Sequence, residues 1–177
     1  MTDINEQTRR SHAKNADPAL LELAELLFFA YRDFTCEPDK MLEEIGFGRA
    51  HHRVLHFVNR HSGLRVADLL EILKITKQSL GRVLKQLVDQ GYIAQQAGKT
   101  DRRERLLATT PRGQELAGKL ALPQLERIAR ALEASGGESR IYVAKFLGEM
   151  ISEADRAQVS QLLEAGAGVR GGSGEPT

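Results

Sequence analysis

The chain has 177 residues, a 41% hydrophobic fraction and a net charge of only +1, so a packed core is within reach and no global charge field drives nucleic-acid binding. Aromatics make up 5% and Trp is absent, which points to a core of Leu, Ile, Val and Ala in helices. The single cysteine, Cys36, excludes an internal disulfide and a cysteine-based zinc site.

In chain order, residues 1–16 are polar and without period, as expected of a flexible arm lacking the apolar stretch of a secretory signal. No segment approaches a membrane span, so a cytoplasmic protein is expected. Asp17-Pro18 gives an N-cap and a first-turn proline. A helix to about Phe34 follows, with Ala24, Leu27, Phe28 and Tyr31 on one stripe. Glu37-Pro38-Asp39 punctuates the chain, and a short helical segment spans Lys40 to Ile45 before Gly46-Phe47-Gly48. The next helix, Arg49 to Arg60, buries Val54, Leu55 and Val58.

Val66, Leu69, Leu70 and Leu73 mark another short helix, and Lys74-Ile75 is a very short break. Thr76 caps a helix ending at Gly91. Tyr92–Gln96 and Glu104–Thr109 read as two strands of a hairpin with a charged tip. Thr110-Pro111 opens a long helix through about Ala134, in which Pro123 predicts a kink or split. After Ser135-Gly136-Gly137, a last helix carries Val143, Phe146, Leu147, Met150 and Ile151 and extends towards Leu163. Residues 165–177 hold five glycines and are expected to be disordered.

Helix, short turn, helix and hairpin is the order of a winged helix–turn–helix, giving a mainly α fold with a small β-wing. The Thr76 helix has two faces. Leu80, Val83, Leu84, Leu87 and Val88 point inward; Gln78, Arg82 and Lys85 point outward, with Lys77 and Ser79 flanking the first turn. Arginine and glutamine suit base edges, and lysine, serine and a helix N-terminus suit phosphate. Between residues 74 and 104 seven basic side chains meet three acidic ones, a local +4.

The segments Arg53-Val54-Leu55, VADLLEILKITKQSLGRVLKQLVDQGYI (66–93) and DRRERLLATTPRG (101–113) resemble the MarR family over roughly residues 20–160. GFGRAHHRVLHFVNR and LKITKQSLGRVL are similar to its PetP-like branch. The resemblance implies a single domain over residues 17–164. Its winged lobe spans about 48–110, and its dimerisation helices about 17–35 and 111–164. It further implies a homodimer on a near-palindromic stretch of double-stranded DNA and an effector pocket between lobe and dimer helices. Carried over residue by residue, it assigns recognition-helix contacts to Lys77, Gln78, Ser79 and Arg82; the cap Thr76 and the outward-facing Lys85 join them as DNA-contact candidates. Asp101 and Arg103 match the family's wing, with Arg102 sharing the role. Gly81 departs from the Ser or Thr often found there; it either permits close backbone approach to phosphate or removes a contact.

Four of the five histidines fall between residues 51 and 61. His52 and His56 are spaced i, i+4 and suit a shared ligand, a metal or plain packing; with no third ligand close in sequence, no metal and no cofactor are expected. A pH or ligand response through His51, His52 or His56 stands beside the packing reading. Phe28, Tyr31, Arg32 and Phe47 complete the effector-pocket candidates by resemblance, with Arg32 suited to an anion and Tyr31 to a hydroxyl contact; dimer-core packing for Phe28 and a surface salt bridge for Arg32 stand equally open. Cys36 offers an alternative switch through oxidation. An enzyme built on His51, His52 and Glu43 or Glu44 finds no supporting motif, so none is expected. A non-specific DNA-packaging module is disfavoured by the amide and hydroxyl groups on the reading face.

Overall fold

The computed structural model describes residues 17–98 and 104–168. The chain divides into two compact units, residues 1–37 and 38–177.

The first unit contributes most of α1 (Pro18–Glu43). Asp17 caps it, its carboxylate accepting from the Ala19 N–H at 2.9 Å. Leu20, Leu23, Leu27, Phe28 and Tyr31 are all exposed on this stretch. The helix does not stop at Glu37-Pro38-Asp39 but runs through to Glu43. Pro38 cannot donate to the carbonyl one turn back, and a proline inside a helix is costly. Burial outweighs that cost: Pro38 and Leu42, one turn apart, are fully buried in the second unit. The Thr35 hydroxyl also donates to the carbonyls of Tyr31 and Arg32. The separate segment expected at Lys40–Ile45 is therefore the end of α1, closed by Gly46 at φ +72° and the Phe47 N–H bonded to the Leu42 carbonyl at 2.8 Å.

The second unit holds the lobe. Its elements are α2 (Arg49–Arg60), β1 (Leu64–Arg65), α3 (Val66–Leu73), α4 (Lys77–Asp89), β2 (Ile93–Ala97) and β3 (Arg105–Thr109). The three strands form an antiparallel sheet in the order β1-β3-β2, with Leu64 opposite Leu107 and Ile93 opposite Thr109. Strand β1 is too short to leave an alternation in the sequence; its pairing to β3 exists only in the fold. The core joins Val54, Leu55 and Val58 of α2 to Leu69 and Leu73 of α3. Leu80, Leu84 and Leu87 of α4 and Ile93 and Leu107 of the sheet complete it. Each fully buried leucine contributes about 1.5–3 kcal/mol.

Helix α5 (Pro111–Ser135) follows a Thr110 cap whose side chain accepts from the Gly113 N–H at 3.1 Å. Pro123 does not split it. Gly113, Ala117, Leu120 and Gln124 form one buried stripe that spans the proline, so packing on both sides holds the helix together. The last expected helix is two: α6 (Ser139–Met150) and α7 (Glu153–Gly168). Ile151 is extended, and the Ser152 hydroxyl donates to Asp155 at 2.7 Å to start α7. Helix α7 reaches residue 168, beyond the point where disorder was expected at 165; residues 169–177 lie outside the described residues. Lys74 bonds Asp155 at 2.8 Å and Gln158 bonds Glu71 at 3.2 Å, so α7 lies against α3 and the turn after it. Among the described residues no helix is long and apolar enough to cross a membrane.

Candidate nucleic-acid interface

The turn between α3 and α4 is built on Lys74, which adopts φ +53° and donates its N–H to the Leu70 carbonyl at 3.0 Å. Two residues later Thr76 caps α4: its hydroxyl oxygen accepts from the Ser79 N–H at 3.1 Å and its O–H donates to Ser79 Oγ at 2.9 Å. The buried face of α4 is Leu80, Val83, Leu84 and Leu87. Lys77, Gln78, Ser79 and Arg82 stand exposed on the other side. The first two turns thus offer N–H groups, an amide and a cationic fork on one surface, the chemistry that phosphates and base edges require.

Lys85 also faces solvent, but it is ion-paired with Asp89 one turn on. The pair is exposed and so weakly held; Lys85 gives up little to exchange Asp89 for a phosphate. A Cβ built on Gly81 meets nothing within 4 Å. Among the described residues no neighbour requires glycine there, and Gly81→Ala is expected to stabilise the fold by about 1 kcal/mol. Thermal unfolding checks this, and a simultaneous loss of DNA affinity would mark Gly81 as a point of close backbone approach.

Strands β2 and β3 make the wing, closed by the Gly98 N–H on the Glu104 carbonyl at 3.0 Å. Arg65 ties the tip end of β3 to the start of α3, reaching Glu104 at 3.3 Å and Asp68 at 2.7 Å. Asp101, Arg102 and Arg103, the expected DNA contacts of the tip, lie outside the described residues.

Behind α4 runs a chain of contacts that sequence reasoning missed. Phe47, expected to line an effector pocket, is buried and stacks on His51 with ring centroids 4.4 Å apart and planes 4° from parallel. It also meets Tyr92, edge-on at 5.4 Å. Arg112 sits over the Tyr92 ring at 4.4 Å, donates to the Tyr92 hydroxyl at 3.1 Å and bonds the Gln90 carbonyl at 2.9 Å. Tyr92 and Arg112 also border a cleft of about 640 Å³ with Met41, Ile45, Leu116 and Lys119. None of the six effector candidates lines it. These walls come from the end of α1, the root of the wing and α5, so no local pattern announces the cleft.

The other effector candidates are split between the units. Phe28, Tyr31 and Arg32 are exposed in the first, where Arg32 pairs with its neighbour Asp33 at 2.8 Å and lies over Phe29 at 5.1 Å. His52 and His56 lie on α2 of the second. Burial pushes His56 down to about 4, helped by repulsion from His52, Arg60 and His61; burial also lowers His52, against the pull of Asp39. Both rings are neutral near pH 7. The sign of the linkage follows: His56 takes a proton more readily when unfolded, so stability falls as pH drops from 6.5 towards 4 and levels off below. His56 is nonetheless exposed by accessible area, so solvent screening holds the effect to no more than about 1 kcal/mol. Replacing His56 by Gln is expected to flatten that part of a urea-midpoint profile against pH.

Among the described residues no three His, Cys, Asp or Glu side chains come together as metal ligands. Cys36 lies inside α1, where a helix C-terminus had been expected just before it, and is half-buried.

Helix, tight turn, capped helix with an exposed polar face, and a two-stranded wing completed to a three-stranded sheet by β1 define a winged helix–turn–helix DNA-binding protein. The "MarR family" model matches residues 45–104. The HTH-type transcriptional regulator PetP of Rhodobacter capsulatus is 40% identical over 149 residues, 84% of this chain and 90% of that protein. The chain belongs to the MarR family and is a DNA-binding transcriptional regulator of that kind. Solved structures agree on the fold. A putative MarR family regulator from Listeria monocytogenes complexed with 26mer DNA superposes with a TM-score of 0.61 at 20% identity, covering 88% of this chain and 97% of that one. NadR in complex with 4-hydroxyphenylacetate gives 0.62 at 20% identity, covering 72% and 90%.

Proposed function

We propose that the chain acts as a homodimeric, sequence-specific regulator that reads a near-palindromic operator with α4 and the wing, and whose affinity is set by a small molecule. One observation carries the reading. The N-terminal half of α4, behind its Thr76 cap, presents Lys77, Gln78, Ser79 and Arg82 to solvent while its opposite face is buried in the core. A single helix reads only a few base pairs; two copies about one helical turn apart multiply specificity and make the operator near-symmetric.

Both units supply reasons for a second copy. The first exposes Leu20, Leu23, Leu27 and Phe28; the second exposes Ile141, Tyr142, Phe146 and Met150. Apolar surface on this scale is uncommon on a monomer. A second copy of the chain covers it. The cleft bordered by Tyr92 and Arg112 is the better-formed ligand site, with apolar walls from Met41, Ile45, Leu116 and Leu122 and a rim that carries both cations, Arg112 and Lys119, and carboxylates, Glu44, Glu115 and Glu126. A ligand there acts only through unequal affinity for the DNA-competent and incompetent states. NadR, a structural neighbour, is a relative crystallised with a small aromatic acid.

The test is binding to the DNA upstream of the chain's own gene and to a scrambled duplex across a salt series. Tighter binding to the former at every salt, with two chains per duplex in sedimentation, is expected. Equal affinity throughout defeats sequence-specific regulation, and one chain per duplex defeats the dimer.

A further inference from the structure

The buried face of α4 fixes which side of the helix meets the core. Apolar packing is non-directional, however, and fixes the roll and slide of a helix less sharply than a hydrogen bond does. Base reading tolerates little of either, because bidentate bonds depend on the placement of planar groups. A directional bond that ties α4 to a fixed element is therefore of direct consequence for reading.

His51 makes that bond. Its Nδ1 accepts from the Gly48 N–H at 3.1 Å, so Nδ1 carries no proton. The neutral ring then carries its hydrogen on Nε2, which donates to Gln86 Oε1 at 2.6 Å. The ring plane is fixed by its stack on buried Phe47. Gln86 is on α4, and Ser79, Arg82 and Gln86 stand at i, i+3 and i+7, on one stripe of that helix. The stripe that meets DNA at its N-terminal end is thus held at its other end by an imidazole of fixed tautomer and orientation.

We infer that His51 is a positioning residue for DNA reading, setting the roll of α4 through Gln86. The inference rests on the reading that α4 faces the operator. Gln86→Met removes the amide at nearly constant shape on an exposed position, so the fold survives. His51→Gln keeps an acceptor for the Gly48 N–H, as glutamine does in a reciprocal helix cap, but gives up the ring that reaches Gln86. Each is expected to weaken binding to the own upstream DNA about three- to tenfold, the worth of one exposed hydrogen bond, and to leave scrambled-duplex affinity within about twofold.

The double variant decides the point. If His51 acts through Gln86, the double variant binds no worse than either single one, within about twofold. In a histidine-selective nitrogen-15 spectrum, Gln86→Met then shifts the Nε2 signal of His51 and leaves Nδ1 unprotonated. Additive losses, or an unmoved Nε2 signal, overturn the proposal: Gln86 would touch DNA on its own account and His51 would serve α2 alone. Arg82→Ala, run in parallel, separates the two levels. If Arg82→Ala weakens binding and the His51 and Gln86 variants do not, only the positioning role falls. If Arg82→Ala has no effect, the reading of α4 falls and takes this role with it.

Discussion

Gly113→Ala is expected to destabilise the chain by about 3 kcal/mol, the upper end of what overpacking costs. A methyl group at Gly113 would stand 2.0 Å from the Tyr92 carbonyl oxygen and 3.0 Å from its carbon. Neither atom belongs to a side chain that can turn away. The carbonyl is further held by the Thr110 N–H at 3.1 Å and the Thr110 hydroxyl at 3.3 Å. Relief requires the first turn of α5 to lift from the root of the wing. That lift works against the Arg112 bonds to Gln90 and Tyr92 and against the buried stripe of Ala117 and Leu120. Urea unfolding measures it as a lower midpoint with an unchanged slope. A loss below about 0.5 kcal/mol would mean that the turn moves freely and that the Thr-Pro-Arg-Gly junction is not the rigid joint described above.

That junction shows what a sequence reveals and what it withholds. Thr110-Pro111 announced a helix start because capping and proline preference act within one turn. The same local physics made Thr76, Gly46 and the span Arg49–Arg60 legible. The reason for Gly113 was not legible, since the carbonyl it must avoid belongs to Tyr92, across the base of the wing. Pro38 misled for a related cause: locally it breaks a helix, and only the burial of Pro38 and Leu42 carries α1 past it. The division between α6 and α7 rests on Ser152 and its bond to Asp155, a signal present in the sequence but hidden under a continuous apolar stripe. For the interface, the exposed face of α4 followed from a 3.6-residue period. The His51–Gln86 bond joins residues 35 apart, and the cleft beside Tyr92 draws on three distant segments. Phe47 entered as a pocket candidate by resemblance alone; its stack on His51 is a contact between side chains four residues apart that no sequence pattern singled out.

Replacing Arg82 by Ala is expected to weaken binding to the cognate operator about 10- to 100-fold, the worth of a bidentate arginine–guanine pair, with a much smaller loss on scrambled DNA. Of the two cations in the body of α4, Arg82 is the more available. Lys85 has Asp89 one turn on, whereas positions 78, 79, 85 and 86 around Arg82 hold no carboxylate. Arg82 is exposed, one turn inside the capped end, where recognition helices meet base edges. Arg82→Lys separates its two possible targets. Lysine keeps the charge but lacks the planar fork, so a base contact loses specificity while the salt dependence stays the same. A phosphate contact behaves oppositely: lysine restores affinity, and alanine lowers the slope of log affinity against log salt by about one. Full restoration by lysine would move sequence reading to Gln78 and the wing and leave Arg82 as an anchor. A loss with lysine on the operator alone would place the guanidinium on a base. The His51–Gln86 tie then gains its purpose, because a fork that must match two acceptors on one base edge is the contact most sensitive to the roll of the helix that carries it.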